Sequence, residues 1–389
     1  MRAQFLRDGL EPMLAIAANR FDRPSETFIR AHVNHIMPGR VVLLCQHGDG
    51  AVELGCPVLS NLRQSTTTGG RANRLINALK FRWRRYVEPA LRGRDAKKVR
   101  VFLQQHAVKA VLAEYGPNGS LLRAACRRAG VPLFVHFHGF DATKLARDTH
   151  IARHYRSLFR DAAGIIAPSK FLAERIRNLG CPHEKLHISP NGIELNRFVP
   201  SCRLPSRIVA VSRLVPVKGP LRTIEAFARV RNTLLDATLD IVGDGALKRD
   251  CLSLAETLGV ADAITFHGAQ SNEYVADLMS RASLFVQHSV TTADGQAESF
   301  GITVLEAAAS ELPVVVTRSG GLEETVADGA TGLLVAEHDV EGMAEAMISL
   351  LEDPERAVHM GRAGRARVEK NFTHERAAAR LREIMGLEL

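Results

Sequence analysis

Residues 298–316 read Glu298-Ser-Phe-Gly-Ile-Thr-Val-Leu-Glu306-Ala-Ala-Ala-Ser-Glu-Leu-Pro313-Val-Val-Val316. Ser299 suits an N-cap, and Phe300 to Ala309 has helical apolar spacing. The helix is expected to stop before Leu312-Pro313, because a residue preceding proline is driven out of the α region. The apolar run Pro313–Val316 follows at once, and another, Leu284–Gln287, lies upstream. Strand, helix and strand in such close order belong to a parallel sheet covered by crossover helices.

The same alternation extends both ways. Strands are expected at Ile208–Val211, Leu239–Val242, Ile264–Phe266 and Gly332–Val335 around the opening stretch. Earlier in the chain they are expected at Met13–Ala17, Val41–Cys45, Ala110–Ala113, Leu133–Phe137, Gly164–Ala167 and Leu186–Ser189. Leu121–Ala129 and Phe171–Leu179 show helical spacing between them. With 389 residues the chain exceeds what one core usually holds, so two doubly wound units are expected. They should meet near Pro200–Pro205.

Charge divides along the same line. Residues 1–200 hold 32 Lys and Arg against 15 Asp and Glu, whereas residues 201–389 hold 19 against 27. The basic half would favour an anionic partner such as a membrane surface, nucleic acid or a phosphorylated acceptor. Hydrophobic content of 46% and charged content of 24% argue for a packed globular chain and against disorder. No apolar run approaches the ~20 residues needed to span a bilayer. The six cysteines form no CxxC pair and read as thiols of a reducing cytoplasm, not a disulfide frame or zinc site.

Ligands of open α/β sheets sit beyond the carboxyl ends of the strands. Glu298 would lie in such a loop and Glu306 about two turns into the helix. Gly301 would let an anion approach the first-turn N–H groups. A loop carboxylate there can accept sugar hydroxyls, and a second can grip a ribose diol. The same pair also fits a helix with one capping and one surface acid. Arg213 and Lys218 follow the strand Ile208–Val211, where a guanidinium fork and a mobile ammonium suit phosphate but also suit a solvated loop. Gly243-Asp244-Gly245 closes the next strand with a tight turn, and His267 ends the one after that. In the first half, alternation puts His136 and His138 on one face at a strand end. Each histidine reads as either a packing residue or a site residue.

Together these segments resemble the family 4 retaining glycosyltransferases of the GT-B fold, two Rossmann-like domains facing across a cleft. The resemblance runs from about Leu133 to Val335. It rests on His138-Gly139, Pro190-Asn191-Gly192-Ile193, Arg213 with Lys218, Gly243-Asp244-Gly245, and the Glu298-x7-Glu306 pair. It implies an acceptor-side domain over residues 1–197, a donor domain over 204–368, and a terminal helix in 369–389 crossing back to the first domain. The donor would be a UDP- or GDP-linked sugar, with no metal and no other cofactor. Arg213 and Lys218 would hold its diphosphate and Glu306 its ribose. Glu298 would hold the transferred sugar, near Phe300, Gly301 and Ile302. His138 would meet that sugar, and Gly243, Asp244, Gly245 and His267 would border the base.

Pro24-Ser25-Glu26-Thr27-Phe28-Ile29 and Ala113-Glu114-Tyr115-Gly116 look like the members that build exopolysaccharide, related to the colanic acid transferases. On that likeness Ser25, Glu26, Thr27 and Asp141 are acceptor-side candidates, although Ser25 also suits a helix cap. The acceptor would be a saccharide, free or linked to polyprenyl diphosphate. Residues 63–100 hold 12 Lys and Arg, with Ile76, Leu79, Trp83 and Val87 at helical spacing. That pattern suits either a helix on an anionic membrane surface or an ordinary core-packed helix with a basic face. No nucleic-acid motif accompanies the charge, so a nucleic-acid partner is not expected. A hydrolysing sugar-nucleotide epimerase and a non-catalytic scaffold share the fold and are the alternatives.

Overall fold

The computed structural model describes residues 13–22, 26–48, 50–62, 91 and 93–389. The expected basic helix around Trp83 and the candidate Ser25 lie outside them. The chain divides into two compact units, one of Met1–Pro168, Leu172–Ser189 and Ala378–Leu389, the other of Ser169–Phe171 and Pro190–Ala377.

The first unit is built on seven parallel strands. They are β1 (Met13–Ala18), β2 (Val41–Cys45), β3 (Val58–Leu59), β4 (Val108–Glu114), β5 (Leu133–His136), β6 (Gly164–Ala167) and β7 (Leu186–Ile188). Their order is β3-β2-β1-β4-β5-β6-β7. The inner stretches of the central strands, Leu14–Ala18 of β1 and Ala110–Ala113 of β4, are apolar because helices cover both faces. Val42, Val111 and Val135 pack with Leu122 and Leu158 in one core. β3 has only two residues, too few to show a period in the sequence. The helix His374–Met385 contributes its later residues to this unit, where Arg382 donates to the carbonyls of His35 and Ile36 at 3.1 and 3.0 Å.

The second unit has six parallel strands: β8 (Arg207–Val211), β9 (Thr238–Val242), β10 (Ile264–Gly268), β11 (Leu284–Gln287), β12 (Val314–Thr317) and β13 (Leu333–Val335). Their order is β10-β9-β8-β11-β12-β13. The chain winds outward from β8 to β10, then returns to place β11 on the other side of β8, with Leu284 opposite Ile208. This reversal opens a crevice beyond the carboxyl ends of β8 and β11. The first unit reverses in the same way between β1 and β4.

The helix of the opening stretch spans Ile302–Ala309, and its N-cap position is Gly301 with no side-chain cap, not Ser299. Gly301 has φ +91°, and a Cβ there would stand 2.4 Å from Leu322. Phe300 is buried and draws the chain into the core, so the helix cannot begin before that turn is complete. The helix Pro354–Asn371 then clamps the element, with Arg365 donating to the carbonyl of Ala309 at 2.5 Å and of Phe198 at 2.8 Å. Among the described residues no helix is long and apolar enough to cross a membrane.

Candidate active site

In the second unit the reversal between β8 and β11 brings the two strongest sequence signals together. Lys218 ends a 3-10 turn after β8, Glu298 lies in the loop after β11, and their charged ends form an ion pair. Gln287, the last residue of β11, donates to the same carboxylate at 3.4 Å. The backbone N–H of Ser299 donates to it at 3.1 Å, and that of Phe300 also reaches it. Burial by itself would raise the Glu298 carboxyl. Lys218 and these N–H donors outweigh burial and hold it below the usual carboxylate range. Thus the Phe300 N–H, expected at a ligand, already serves Glu298.

A second loop fixes Glu298 from behind. Gly321 N–H donates to the Glu298 carbonyl at 2.9 Å, and Gly320 runs so close that a Cβ would lie 1.9 Å from that oxygen. The Ser319-Gly320-Gly321 turn had no place in the sequence reading. Its signal is a pair of glycines three residues beyond the apolar strand Val314–Thr317.

Glu306 lies one turn into its helix and is half-buried. Among the described residues its carboxylate has no hydrogen-bond or ion-pair partner. Burial raises its pKa to about 7, and the charge of Arg197 opposes the rise. Arg213 is exposed, and its guanidinium likewise has no partner among the described residues. Gly243 runs against the Ser212 carbonyl, and Asp244 is exposed and paired with Lys248 at 3.3 Å. Gly245 donates to the Asp244 carboxylate at 2.7 Å, and Ile302 opens the helix. His267 is occupied at both ring nitrogens, by Asp240 at 2.6 Å and the Tyr274 hydroxyl at 2.7 Å. It therefore acts first as a brace between β9 and the helix Asn272–Arg281.

The first unit gathers a different set at its own reversal. Glu114, the last residue of β4, is fully buried and accepts from His32 Nδ1 and His138 Nε2, each at 2.7 Å. His136 stands beside them, with no hydrogen-bond partner at either ring nitrogen among the described residues, and burial keeps its pKa low. His32, Glu114 and His136 lie close enough to be considered for a metal ion. The His138 side chain is only 6% exposed, between Phe28, Tyr115 and His136. Glu26 reaches the Tyr115 hydroxyl, and Thr27 begins the helix Thr27–His35. Asp141 is buried, and its carboxylate accepts the N–H groups of Gly116, His138 and Gly139 at 2.9, 3.0 and 3.0 Å. It shapes the loop that carries His138. The sequence reading assigned no role to Glu114, His32 or Tyr115. A lone carboxylate closing an apolar parallel strand was the signal for Glu114.

Two doubly wound parallel-sheet units, one with a cation–carboxylate pair at its reversal beside a helix amino terminus, have the α/β architecture of the GT-B fold. The comparisons with known proteins agree. Residues 204–367 match the model for glycosyl transferases group 1, and residues 37–197 match that for glycosyltransferase family 4. The chain is 32% identical over 309 residues to a GDP-mannose-dependent α-(1-6)-phosphatidylinositol monomannoside mannosyltransferase of Mycolicibacterium smegmatis, covering 75% of this chain and 80% of that one. It is 31% identical over 273 residues to WcaL of Escherichia coli, a glycosyltransferase assigned to colanic acid biosynthesis, covering 68% and 67%. Among solved structures, Anabaena Alr3699/HepE in complex with UDP and glucose shares the fold, with a TM-score of 0.78 at 18% identity over 97% of this chain and all of that one. The chain belongs to the family 4 glycosyltransferases, and it is a glycosyltransferase.

Proposed function

We propose that the chain moves a hexosyl unit from a UDP- or GDP-linked sugar, bound by the second unit, to a saccharide acceptor in surface polysaccharide synthesis. The transfer retains anomeric configuration. The observation that carries this reading is the meeting of Lys218 and Glu298 at the β8–β11 reversal, beside the helix that bears Glu306.

Cleavage of the donor leaves negative charge on the diphosphate. Arg213 and Lys218 supply fixed positive charge, and the amino end of the Ile302–Ala309 helix adds its dipole. Lys218 turns from Glu298 to phosphate, and Glu298 then accepts hydroxyls of the sugar. Glu306 accepts the ribose diol. His138 acts on the reacting sugar, and Glu26 and Thr27 serve the acceptor. Fixed cations and backbone dipoles suffice for the departing charge, so this reading calls for no metal.

The relatives' names support a glycan or lipid-linked acceptor, here a saccharide free or carried on polyprenyl diphosphate. The protein works in the cytoplasm at the inner membrane face, held by the basic segment 63–100. Co-sedimentation of wild type and an Arg82/Arg84/Arg85→Glu variant with anionic liposomes tests that placement, and equal binding defeats it. For the activity, purified protein is incubated with UDP- and GDP-sugars and with saccharide or polyprenyl-diphosphate saccharide acceptors, with products read by mass spectrometry. One donor should yield a glycosylated product with release of its nucleoside diphosphate. Release or epimerised sugar without acceptor would favour the hydrolysing epimerase instead.

A further inference from the structure

We propose that Glu114 is a positioning residue for His138, fixing the imidazole in its Nε2–H form with the ring turned so that Nδ1 is its other polar atom. The kinetic part of this inference rests on the role given to His138 above. The structural part does not.

Each oxygen of Glu114 accepts one imidazole at 2.7 Å, His32 Nδ1 on Oε1 and His138 Nε2 on Oε2. The carboxylate is wholly out of water. Burial alone would drive a proton onto it, yet the charge and hydrogen bonds of His32 and His138 keep it ionised. An ionised carboxylate can only accept, so both imidazole nitrogens facing it must carry hydrogen. That assigns Nε2–H to His138 and Nδ1–H to His32.

The ring has little freedom otherwise. Phe28, His136 and Tyr115 surround it with centroids at 4.1, 4.3 and 4.8 Å. The strand end that presents Glu114 is itself held in a costly shape. Tyr115 has φ +69° and ψ +140°, a combination normally left to glycine, and its N–H donates to the His136 carbonyl at 2.8 Å. Strain of this kind persists where surrounding contacts over-determine it, and here it sets the carboxylate between two histidines. The two 2.7 Å contacts are ordinary charge-assisted hydrogen bonds and account for both oxygens. A proton-bearing pair therefore fits this cluster better than a metal ion does.

The first test needs no activity: ¹⁵N NMR of imidazole-labelled wild-type protein, with the His138 resonance assigned by comparison with His138→Asn. The expected spectrum shows His138 protonated at Nε2 across neutral pH. A ring protonated only at Nδ1 would overturn the inference. The second test uses Glu114→Gln, Glu114→Asp and His138→Asn with the donor and acceptor found for the enzyme. Removing a partner that orients a functional histidine should lower kcat roughly tenfold to a hundredfold, with donor KM changed less. Glu114→Asp should recover part of the loss, and Glu114→Gln should add little in the His138→Asn background. Additive losses would show that Glu114 does not act through His138. Stoichiometric zinc in purified protein, lost in Glu114→Gln, would make these residues metal ligands and overturn the proposal. If the wild type transfers no sugar, the functional reading fails while the NMR result still decides the tautomer.

Discussion

Replacing Glu306 with Gln should stabilise the free protein while weakening donor binding. The carboxyl is raised from 4.5 to about 7, burial being the main cause and Arg197 opposing it. A shift of that size corresponds to roughly 3 kcal/mol at a pH above both values. The side chain is half-buried and still reaches water, so screening reduces the effect to about 1–2 kcal/mol. The sign follows from proton binding. Between pH 4.5 and about 7 the folded state holds a proton that the unfolded state has released, so stability falls as pH rises through that window. Glutamine carries no such charge. The variant should therefore match wild type near pH 4.5 and exceed it above pH 7, by a few degrees of melting temperature at ~2–4 °C per kcal/mol. Differential scanning calorimetry from pH 4.5 to 8 measures this. A variant no more stable than wild type at pH 8, or an offset that does not change with pH, would show that burial of the Glu306 charge does not destabilise the fold. The gain should come with weaker nucleotide binding, a trade common at sites that hold a strained charge.

The other predictions concern the same loops. Lys218→Ala leaves the Glu298 carboxylate buried without its cation and should cost about 2–4 kcal/mol at pH 7. Because the Glu298 pKa is lowered on folding, this gap should close as pH falls below the ordinary carboxylate range, and urea titrations at pH 7 and pH 4 measure it. Arg213→Ala should change stability by less than ~0.5 kcal/mol, since the guanidinium is exposed and has no partner among the described residues. It should nevertheless lower kcat/KM roughly tenfold or more through loss of a charged hydrogen bond to phosphate, seen in initial-rate kinetics. Gly320→Ala must move the Glu298 carbonyl, which a Cβ would meet at 1.9 Å, and should destabilise by ~2 kcal/mol or more in thermal melts.

The strand–helix alternation was legible because short apolar runs such as Leu284–Val286 and Val314–Val316 stand out between amphipathic helices. β3 escaped notice, because two residues carry no period. The helix start at Ile302 was misplaced because Ser299 obeys the local capping rule, while the turn at Gly301 is dictated by Leu322, distant in sequence. The carboxylates and cations of the second unit were visible as motifs on single loops. What sequence could not give was the pairing of Lys218 with Glu298, which depends on β11 returning beside β8. Glu114 was missed for a related reason. It joins His32, 82 residues upstream, to His138, 24 residues downstream, and only the fold makes them neighbours.

The proposed nucleotide-diphosphate site of the second unit is built on Lys218, Arg213 and Glu306. Thermal stabilisation by UDP and GDP and by their hexose conjugates tests it most directly, with wild type set beside Arg213→Ala and Glu306→Ala. At ~100 times its Kd a ligand of the folded state adds about 2.7 kcal/mol. A clear upward shift is expected with one of the two bases, lost in both variants. No shift with any nucleotide, or a shift that both variants retain in full, would contradict it.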